Sequence, residues 1–366
     1  MKKLYNKINS DLLKQQMLES DQKRTTLSFY KYAHIKNIQV FRDHFYSILD
    51  DIGVKGRIYI ASEGVNGQIS VPKENFQLLK EALDSIEFLK GIRLNIAIED
   101  DGKSFYKLKI KIRNKIVADG LNDETFDVTK RGKHISAQEF NQLAEDPETV
   151  IVDMRNHYES EVGHFDRAIT PDVETFRESL PIIEKMLEPH KDKNIIMYCT
   201  GGIRCEKASA YYKHRGFKKV HQLDGGIIEY ARQVEQKGLE NKFLGKNFVF
   251  DERMGERISG DIIAHCHQCG APCDDHVNCA NDACHILFIQ CKECADKYHN
   301  CCSSKCKEFN ELPEETRSRL KPMVEFNGTK FGKGRYKAHR KDEHLEYLEL
   351  PDQMVIEQKD NLSSRD

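Results

Sequence analysis

The stretch that decides the fold is "IIMYCTGGIRCEKAS", Ile195–Ser209. An apolar run stops at Cys199, a Thr-Gly-Gly turn follows, and Arg204 opens what reads as a helix. A nearly continuous apolar run suits a strand of a parallel sheet, buried on both faces. In parallel α/β folds active groups sit at the carboxyl ends of strands, and Cys199 stands there. Thr200, Gly201 and Gly202 let backbone N–H groups converge on one point, and the helix starting near Arg204 adds its positive end. Arg204 itself supplies a fixed positive charge. Each influence favours thiolate over thiol, and the thiolate is the nucleophile. Taken alone, the loop also admits a plainer reading, a small cysteine filling a buried strand end.

Outward from this loop, "TVIVDMR" and "KVHQLDG" repeat the short apolar strand, alternating with helices from residue 136 to 238. That alternation predicts an α/β domain with a parallel sheet. Upstream, residues 27–120 read strand, helix, strand, strand, helix, strand. The strands are "LSFYKYAHI", "GRIYIAS", "GQISV" and "RLNIAI"; the helices "IQVFRDHFYSILDDI" and "KENFQLLKEALDSIEFL" carry apolar residues at three-to-four spacing. "SEGVNG" joins the middle strands, with Gly64 and Gly67 free to take positive φ. This βαββαβ order predicts a ferredoxin-like, acylphosphatase-like α+β domain. Residues 1–26 form a polar extension, 121–135 a polar linker, 239–310 a cysteine-rich region and 311–366 a charged tail.

The 366 residues carry 57 Lys and Arg against 59 Asp and Glu, a net charge of −2. A polyanionic partner must therefore be met by local patches rather than by the whole-molecule field. The N-terminus has lysines but no apolar signal core, and no run approaches the ~18–20 apolar residues of a membrane span. A cytoplasmic protein without membrane association is expected, and the sequence assigns no oligomeric state.

Two of the twelve cysteines, Cys199 and Cys205, are in the loop; the other ten lie between Cys266 and Cys306. In a reducing compartment such a cluster points to metal rather than disulfides. Cys266/Cys269 and Cys291/Cys294 form two CxxC knuckles, each able to give half a tetrahedral thiolate site. Cys279/Cys284 and Cys302/Cys306 can supply a second, interleaved site, with Cys273, Cys301 and several histidines competing for places. The ion expected is a structural zinc, because four thiolates leave no open position and so polar a segment lacks apolar material for a core.

In "FYKLKIKIRNK", Lys107, Lys109, Lys111, Arg113 and Lys115 recur at every second position. A strand would bury the intervening apolar residues and present a row of cations to a nucleic-acid backbone. The same row also suits an edge strand protected by lysines from aggregation. "KHRGFKK" and the tail's Lys330, Lys333, Arg335, Lys337 and Arg340 add further candidate RNA contacts.

"IVDMRNHYESEVGHFDRAI", "YCTGGIRCEKASAYYKHRGF" and "VHQLDGGIIEYAR" together resemble a rhodanese domain over residues 136–238, including Asp153, Arg155, Glu159, Gly163, His164 and the Gly225-Gly226 turn. The resemblance implies a cysteine that accepts sulfur as a persulfide. Four residues separate Cys199 from Arg204, where related phosphatase loops have five, so this is a sulfur-type loop. Cys205 stands where many rhodaneses have Ser or Thr. It reads as a small residue at the helix start, with resolution of an oxidised Cys199 as the alternative. His164 and Asp166 have the His-x-Asp spacing of an iron triad, but in a rhodanese this segment is structural.

With "ASEGVNGQISV" before this domain and "GKNFVFDERMGERIS" and the cysteine cluster after it, residues 27–310 resemble the rhodanese-containing tRNA uridine hydroxylases. These make 5-hydroxyuridine at the wobble position with molecular oxygen. The resemblance implies a tRNA substrate, oxygen as co-substrate and a reaction dependent on Cys199. No flavin fingerprint and no iron motif is readable. A rhodanese-type sulfurtransferase and a non-catalytic RNA-binding adaptor are the alternatives; intact Cys199 and Arg204 weigh against the adaptor.

Overall fold

The computed structural model describes residues 9–121, 126–324 and 326. The tail cations Lys330, Lys333, Arg335, Lys337 and Arg340 lie outside the described residues. Contacts divide the chain between Ile263 and Ala264 into two units.

Within the N-terminal extension lies a helix, α1 (Ser10–Glu19), started by the Asn9 side chain, which accepts from the Asp11 amide at 2.8 Å. The Lys103 ammonium closes its other end, donating to the carbonyls of Met17 (2.8 Å), Leu18 (3.0 Å) and Ser20. A cation at a helix C-terminus satisfies carbonyls that have no partner in the helix.

The ferredoxin-like order follows: β1 (Arg24–Tyr32), α2 (Ile38–Asp51), β2 (Lys55–Ala61), β3 (Gly64–Pro72), α3 (Phe76–Asp84) and β4 (Asn95–Ile96). A fifth strand, β5 (Leu108–Ile112), extends the sheet to the order β4-β1-β3-β2-β5. β5 runs parallel to β2, and the β1–β3, β2–β3 and β1–β4 pairs are antiparallel. Leu27, Phe29, Ile58, Ile60, Ile69 and Val71 point to one face, where Phe45 and Leu49 of α2 and Leu79 and Leu83 of α3 cover them. The β2–β3 turn is only Ser62-Glu63, since Ala61 already pairs with Gly64. Gly64 takes φ +146°, and a Cβ there would lie 2.1 Å from the Lys31 carbonyl oxygen. Gly67, expected in the turn, instead sits inside β3 without positive φ, where a Cβ would strike the Phe29 ring at 2.7 Å.

The opposite face of this sheet carries two cross-strand rows, fixed by register. Tyr30, Asn66, Tyr59 and Lys111 form one; Ser28, Gln68, Arg57 and Lys109 form the other. Paired residues on adjacent strands share a face.

The rhodanese part runs β6 (Lys133–Ile135), α4 (Ala137–Glu145), β7 (Val150–Asp153), α5 (His157–Ser160), β8 (Gly163–Phe165), α6 (Phe176–Leu187), β9 (Asn194–Tyr198), α7 (Ile203–His214), β10 (Lys219–Leu223) and α8 (Gly226–Lys237). Its parallel sheet has the order β6-β10-β9-β7. The continuous apolar strands are explained by cover on both faces. Val152, Ile195 and Met197 pack on α6 and α7, and Ile151, Ile196 and Tyr198 pack with Phe140, Ile227 and Tyr230.

Next, β11 (Phe243–Asn247) and β12 (Glu256–Arg257) join β8 in a small antiparallel sheet, order β12-β11-β8. Residues 239–263 are thus part of the first unit.

The second unit holds a hairpin, β13 (His276–Asn278) with β14 (Leu287–Ile289), and the helices α9 (Lys292–Tyr298), α10 (Ser304–Glu311) and α11 (Glu314–Leu320). Its interior is chiefly Ile286, Phe288 and cysteine sulfur. No helix among the described residues is long and apolar enough to cross a membrane.

Candidate active site

Cys199 follows the last residue of β9 and is fully buried. Gly202 reaches φ +94° as the residue before α7, which turns its amide back to donate to Cys199 Sγ at 3.2 Å. Gly225 and Gly226, at φ +70° and +66°, close the back of the loop, and the Ile227 amide donates to the Cys199 carbonyl at 3.0 Å. A Cβ on Gly226 would lie 2.4 Å from that carbonyl oxygen.

Burial pushes the Cys199 thiol up. The Cys205 thiol, the Arg204 guanidinium and the amides of Arg204 and Cys205 outweigh it and bring the pKa down to about 6. Burial and the same neighbouring sulfur drive Cys205 far upward, so it remains a thiol that donates to Cys199. Arg204 is not a free anion ligand. It makes two 2.7 Å bonds to the buried Glu159 carboxylate, whose own place is set by a capping box with Asn156. Arg155 is clamped likewise by Asp153 and donates to the Gly163 carbonyl at 2.5 Å. The rhodanese-like motif residues therefore build the frame that holds Arg204 beside the sulfur. His164 is in β8, with Nδ1 3.0 Å from the Phe165 carbonyl, and belongs to no metal-binding group among the described residues.

The loop opens into a cavity of 330 Å³. Cys199, Thr200, Gly201 and Arg204 line one wall, and the outward face of the ferredoxin-like sheet lines the opposite one. Phe250, Asp251 and Arg253, from the segment after β11, close a third side. Tyr30 donates to Glu206 at 3.1 Å and Tyr32 to the Ile203 carbonyl at 3.5 Å, tying β1 to the first turns of α7. His134 bridges Asp224 (3.0 Å) and Glu206 (3.2 Å), and Arg93 grips Asp224 at 2.5 Å and 2.6 Å. The hydrogen bond to Asp224, and then the nearby Glu206 carboxylate, raise His134 to about 9. Sequence reasoning assigned none of the sheet residues of this cavity, Ser28, Tyr30, Arg57, Tyr59, Asn66 and Gln68; their one signal was the polar alternation in β1, β2 and β3.

Of the five basic residues at alternating positions, Lys109 and Lys111 lie exposed on β5, on the same sheet face as the cavity wall. Partial burial first, and then repulsion from Lys107, Arg57 and Lys111, lowers the Lys109 pKa, a sign of crowded positive charge. Arg113 stacks over the Tyr59 ring at 5.4 Å. Lys115 leaves the row: it bonds the buried Asp119 at 2.5 Å and the Leu121 carbonyl at 2.7 Å. Asp119 also binds Lys207 of α7 at 2.6 Å, so Lys115 helps fasten the linker to the rhodanese part.

In the second unit eight of the ten cysteines sort into two quartets, Cys266, Cys269, Cys291, Cys294 and Cys279, Cys284, Cys302, Cys306, with all sulfurs in each within 4.8 Å of one another. Cys269 and Cys291 sulfurs are 3.6 Å apart, and Cys284 and Cys302 sulfurs 3.7 Å. Tetrahedral metal–thiolate bonds of about 2.3 Å require sulfurs about 3.8 Å apart, so both quartets fit a metal ion. Amides of Cys291 and Cys302 donate to Cys266 and Cys279 sulfurs at 3.4 Å, as coordinated thiolates require. Cys273 and Cys301 belong to neither quartet.

Family models match in the order the fold suggests: a UPF0176 acylphosphatase-like domain at residues 24–116, a rhodanese-like domain at 136–233 and a rhodanese C-terminal domain at 244–307. A protein of Photorhabdus laumondii called tRNA uridine(34) hydroxylase is 55% identical over 91% of this chain and 95% of its own. The chain belongs to the tRNA uridine(34) hydroxylase family. Proteins of the same name from Pectobacterium carotovorum and Yersinia pestis are 56% and 57% identical, over 89% and 86% of this chain and 92% and 90% of theirs. The resemblance drawn from the loop and its flanking motifs is thereby borne out, and family membership spans both units.

Proposed function

We propose that this chain hydroxylates the wobble uridine of tRNA to 5-hydroxyuridine, with molecular oxygen as co-substrate, in the cavity that contains Cys199. The name shared by its close relatives supports the reaction. The observation that carries the site is a cysteine at the edge of a 330 Å³ cavity, its sulfur accepting from the Gly202 amide at 3.2 Å and its pKa brought down to about 6 by the neighbouring thiol, guanidinium and amides. Thr200, Gly201 and Gly202 shape the cradle, and Arg204, fixed by Glu159, supplies charge to keep the sulfur anionic.

The tRNA backbone follows the basic strand, Lys107, Lys109, Lys111 and Arg113, because its exposed face continues into the cavity wall through Arg57 and Tyr59. Shared placement favours this over simple edge protection, which requires no relation to a pocket. The two quartets hold structural zinc, since each offers four thiolates and no open position. A tRNA substrate supports a cytoplasmic location.

Mass spectrometry of tRNA nucleosides tests the proposal, comparing cells whose only copy is wild type or Cys199→Ser. Loss of 5-hydroxyuridine and its derivatives in the variant, mimicked by growth without oxygen, is expected. Unchanged hydroxylation refutes the role of Cys199. The four-residue spacing between Cys199 and Arg204 favours a second reading, sulfur transfer through a Cys199 persulfide. In that case hydroxylated nucleosides persist while a thiolated product or thiosulfate-dependent activity disappears.

A further inference from the structure

At the cavity wall, the exposed Arg57 and the half-buried Gln68 set a cation beside an oriented amide. Arg57 and Gln68 are directly opposed across β2 and β3 and both line the cavity. The orientation of Gln68 is dictated by a relay. The Ile116 carbonyl can only accept, so Asn66 turns its Nδ2 toward it at 3.4 Å. Asn66 Oδ1 then accepts from Gln68 Nε2 at 2.8 Å. Flipping either amide would set oxygen against oxygen or nitrogen against nitrogen. Gln68 Oε1 is left as an acceptor, and no group among the described residues donates to it. No carboxylate among the described residues pairs with the Arg57 guanidinium, which stands beside it with Cβ atoms about 5 Å apart.

We infer that Gln68, aligned by Asn66 and seconded by Arg57, reads the N3–H and an adjacent carbonyl oxygen of the uracil to be modified. This rests on the reading of the cavity as the seat of the wobble uridine. Uracil offers a donor at N3 beside acceptors at O2 and O4, which matches an amide oxygen beside a guanidinium. Cytosine in the same seat would set the lone pair of its N3 against Gln68 Oε1. Tyr30 and Tyr59 lie in the neighbouring row, one on each side of Asn66, and give the base apolar surface to rest against. A site whose polar groups await a substrate hydrogen bond rejects an analogue lacking it, because those groups then stay unpaired.

The probes are two synthetic anticodon stem-loops that differ only in carrying uridine or 3-methyluridine at the wobble position. Their affinities for the full chain are compared by fluorescence anisotropy. Wild type should prefer the uridine loop by about tenfold or more. Gln68→Leu should weaken the uridine loop until the two bind within about twofold, leaving the 3-methyluridine loop unchanged. Equal affinity of wild type for both loops overturns the inference without any variant. So does a Leu variant that still discriminates, since the shape of the pocket would then be the cause. In both cases tRNA hydroxylation in cells carrying the wild-type gene leaves the proposed function standing. Absence of that hydroxylation removes the proposed function, and this inference with it.

Discussion

Removing the Cys205 thiol should change the charge state of Cys199 by a predictable amount. The Cys205 thiol, held protonated beside the Cys199 sulfur, favours its anion, while Arg204 and the amides of Arg204 and Cys205 favour it independently. Cys205→Ala deletes only the first of these. An S–H group is a weak donor, so the loss belongs at the low end for bonds to charged groups, about 1.5 kcal/mol, or about one pH unit. The Cys199 midpoint should therefore rise from about 6 to about 7. The thiolate fraction near pH ~6.5 then falls about threefold, whereas near pH ~8.5 the two proteins hardly differ. Iodoacetamide alkylation followed on the Cys199 peptide by mass spectrometry reads this directly, apart from the cysteines of the second unit. Cys205→Ser keeps a donor and should keep the midpoint. An unchanged midpoint in the Ala variant, or a wild-type midpoint near the ordinary thiol value of about 8.5, would refute the cradle argument.

Cys291→Ser should release one of two bound zinc ions, measured by metal analysis of the full chain, while the other quartet keeps its ion; protein purified without chelators and free of zinc would reject the assignment. Gly226→Ala should destabilise by about 2–4 kcal/mol in thermal melts, because a Cβ meets backbone at 2.4 Å in addition to the strain of φ +66°. Gly216→Ala, at φ +91° with open space around it, should cost only about 1–2 kcal/mol. His134 is raised to about 9 by Asp224 and Glu206, so its stabilisation is full below its ordinary value and is lost as pH rises through about 9. His134→Gln should accordingly lower the melting temperature more near pH ~6 than near pH ~9.5, and an equal loss at both would assign it a neutral role. Replacing Lys107, Lys109 and Lys111 with Gln should flatten the salt dependence of tRNA binding by a slope of about 2; an unchanged slope assigns the row to edge protection.

The rhodanese-like sheet was legible because burial on both faces forces nearly continuous apolar strands, which few other arrangements tolerate. The first cysteine quartet was legible because a CxxC knuckle fixes two ligands locally. The second needed tertiary contacts to exclude Cys273 and Cys301, which spacing cannot do. Helix α1 was missed because its sequence, SDLLKQQMLE, is polar nearly all round, and its stability comes from caps and from Lys103, which is 83 residues from Ser20. Lys115 was misplaced in the cation row because alternation was carried past Ile112, where β5 ends; beyond that point nothing holds a period of two.

The cavity wall was not legible for a stronger reason. A ferredoxin-like sheet covered by helices on one face leaves the other polar, so Ser28, Tyr30, Arg57, Tyr59, Asn66 and Gln68 each read as ordinary solvent-facing residues. Only the register sets them into two rows, and only the rhodanese loop standing over those rows makes them a wall. Once they are a wall, their chemistry is no longer ordinary. A solvent face has no need to orient an amide through a second amide anchored on a backbone carbonyl, because water satisfies either orientation equally. The Ile116–Asn66–Gln68 relay fixes one orientation, and what it fixes is an acceptor facing the cavity beside an unpaired guanidinium. The cation row of β5 continues the same two rows to the sheet edge through Lys109 and Lys111. On the proposed function, charge for a phosphate backbone and hydrogen bonds for a base would therefore lie on one continuous surface, in the order an extruded nucleotide would meet them.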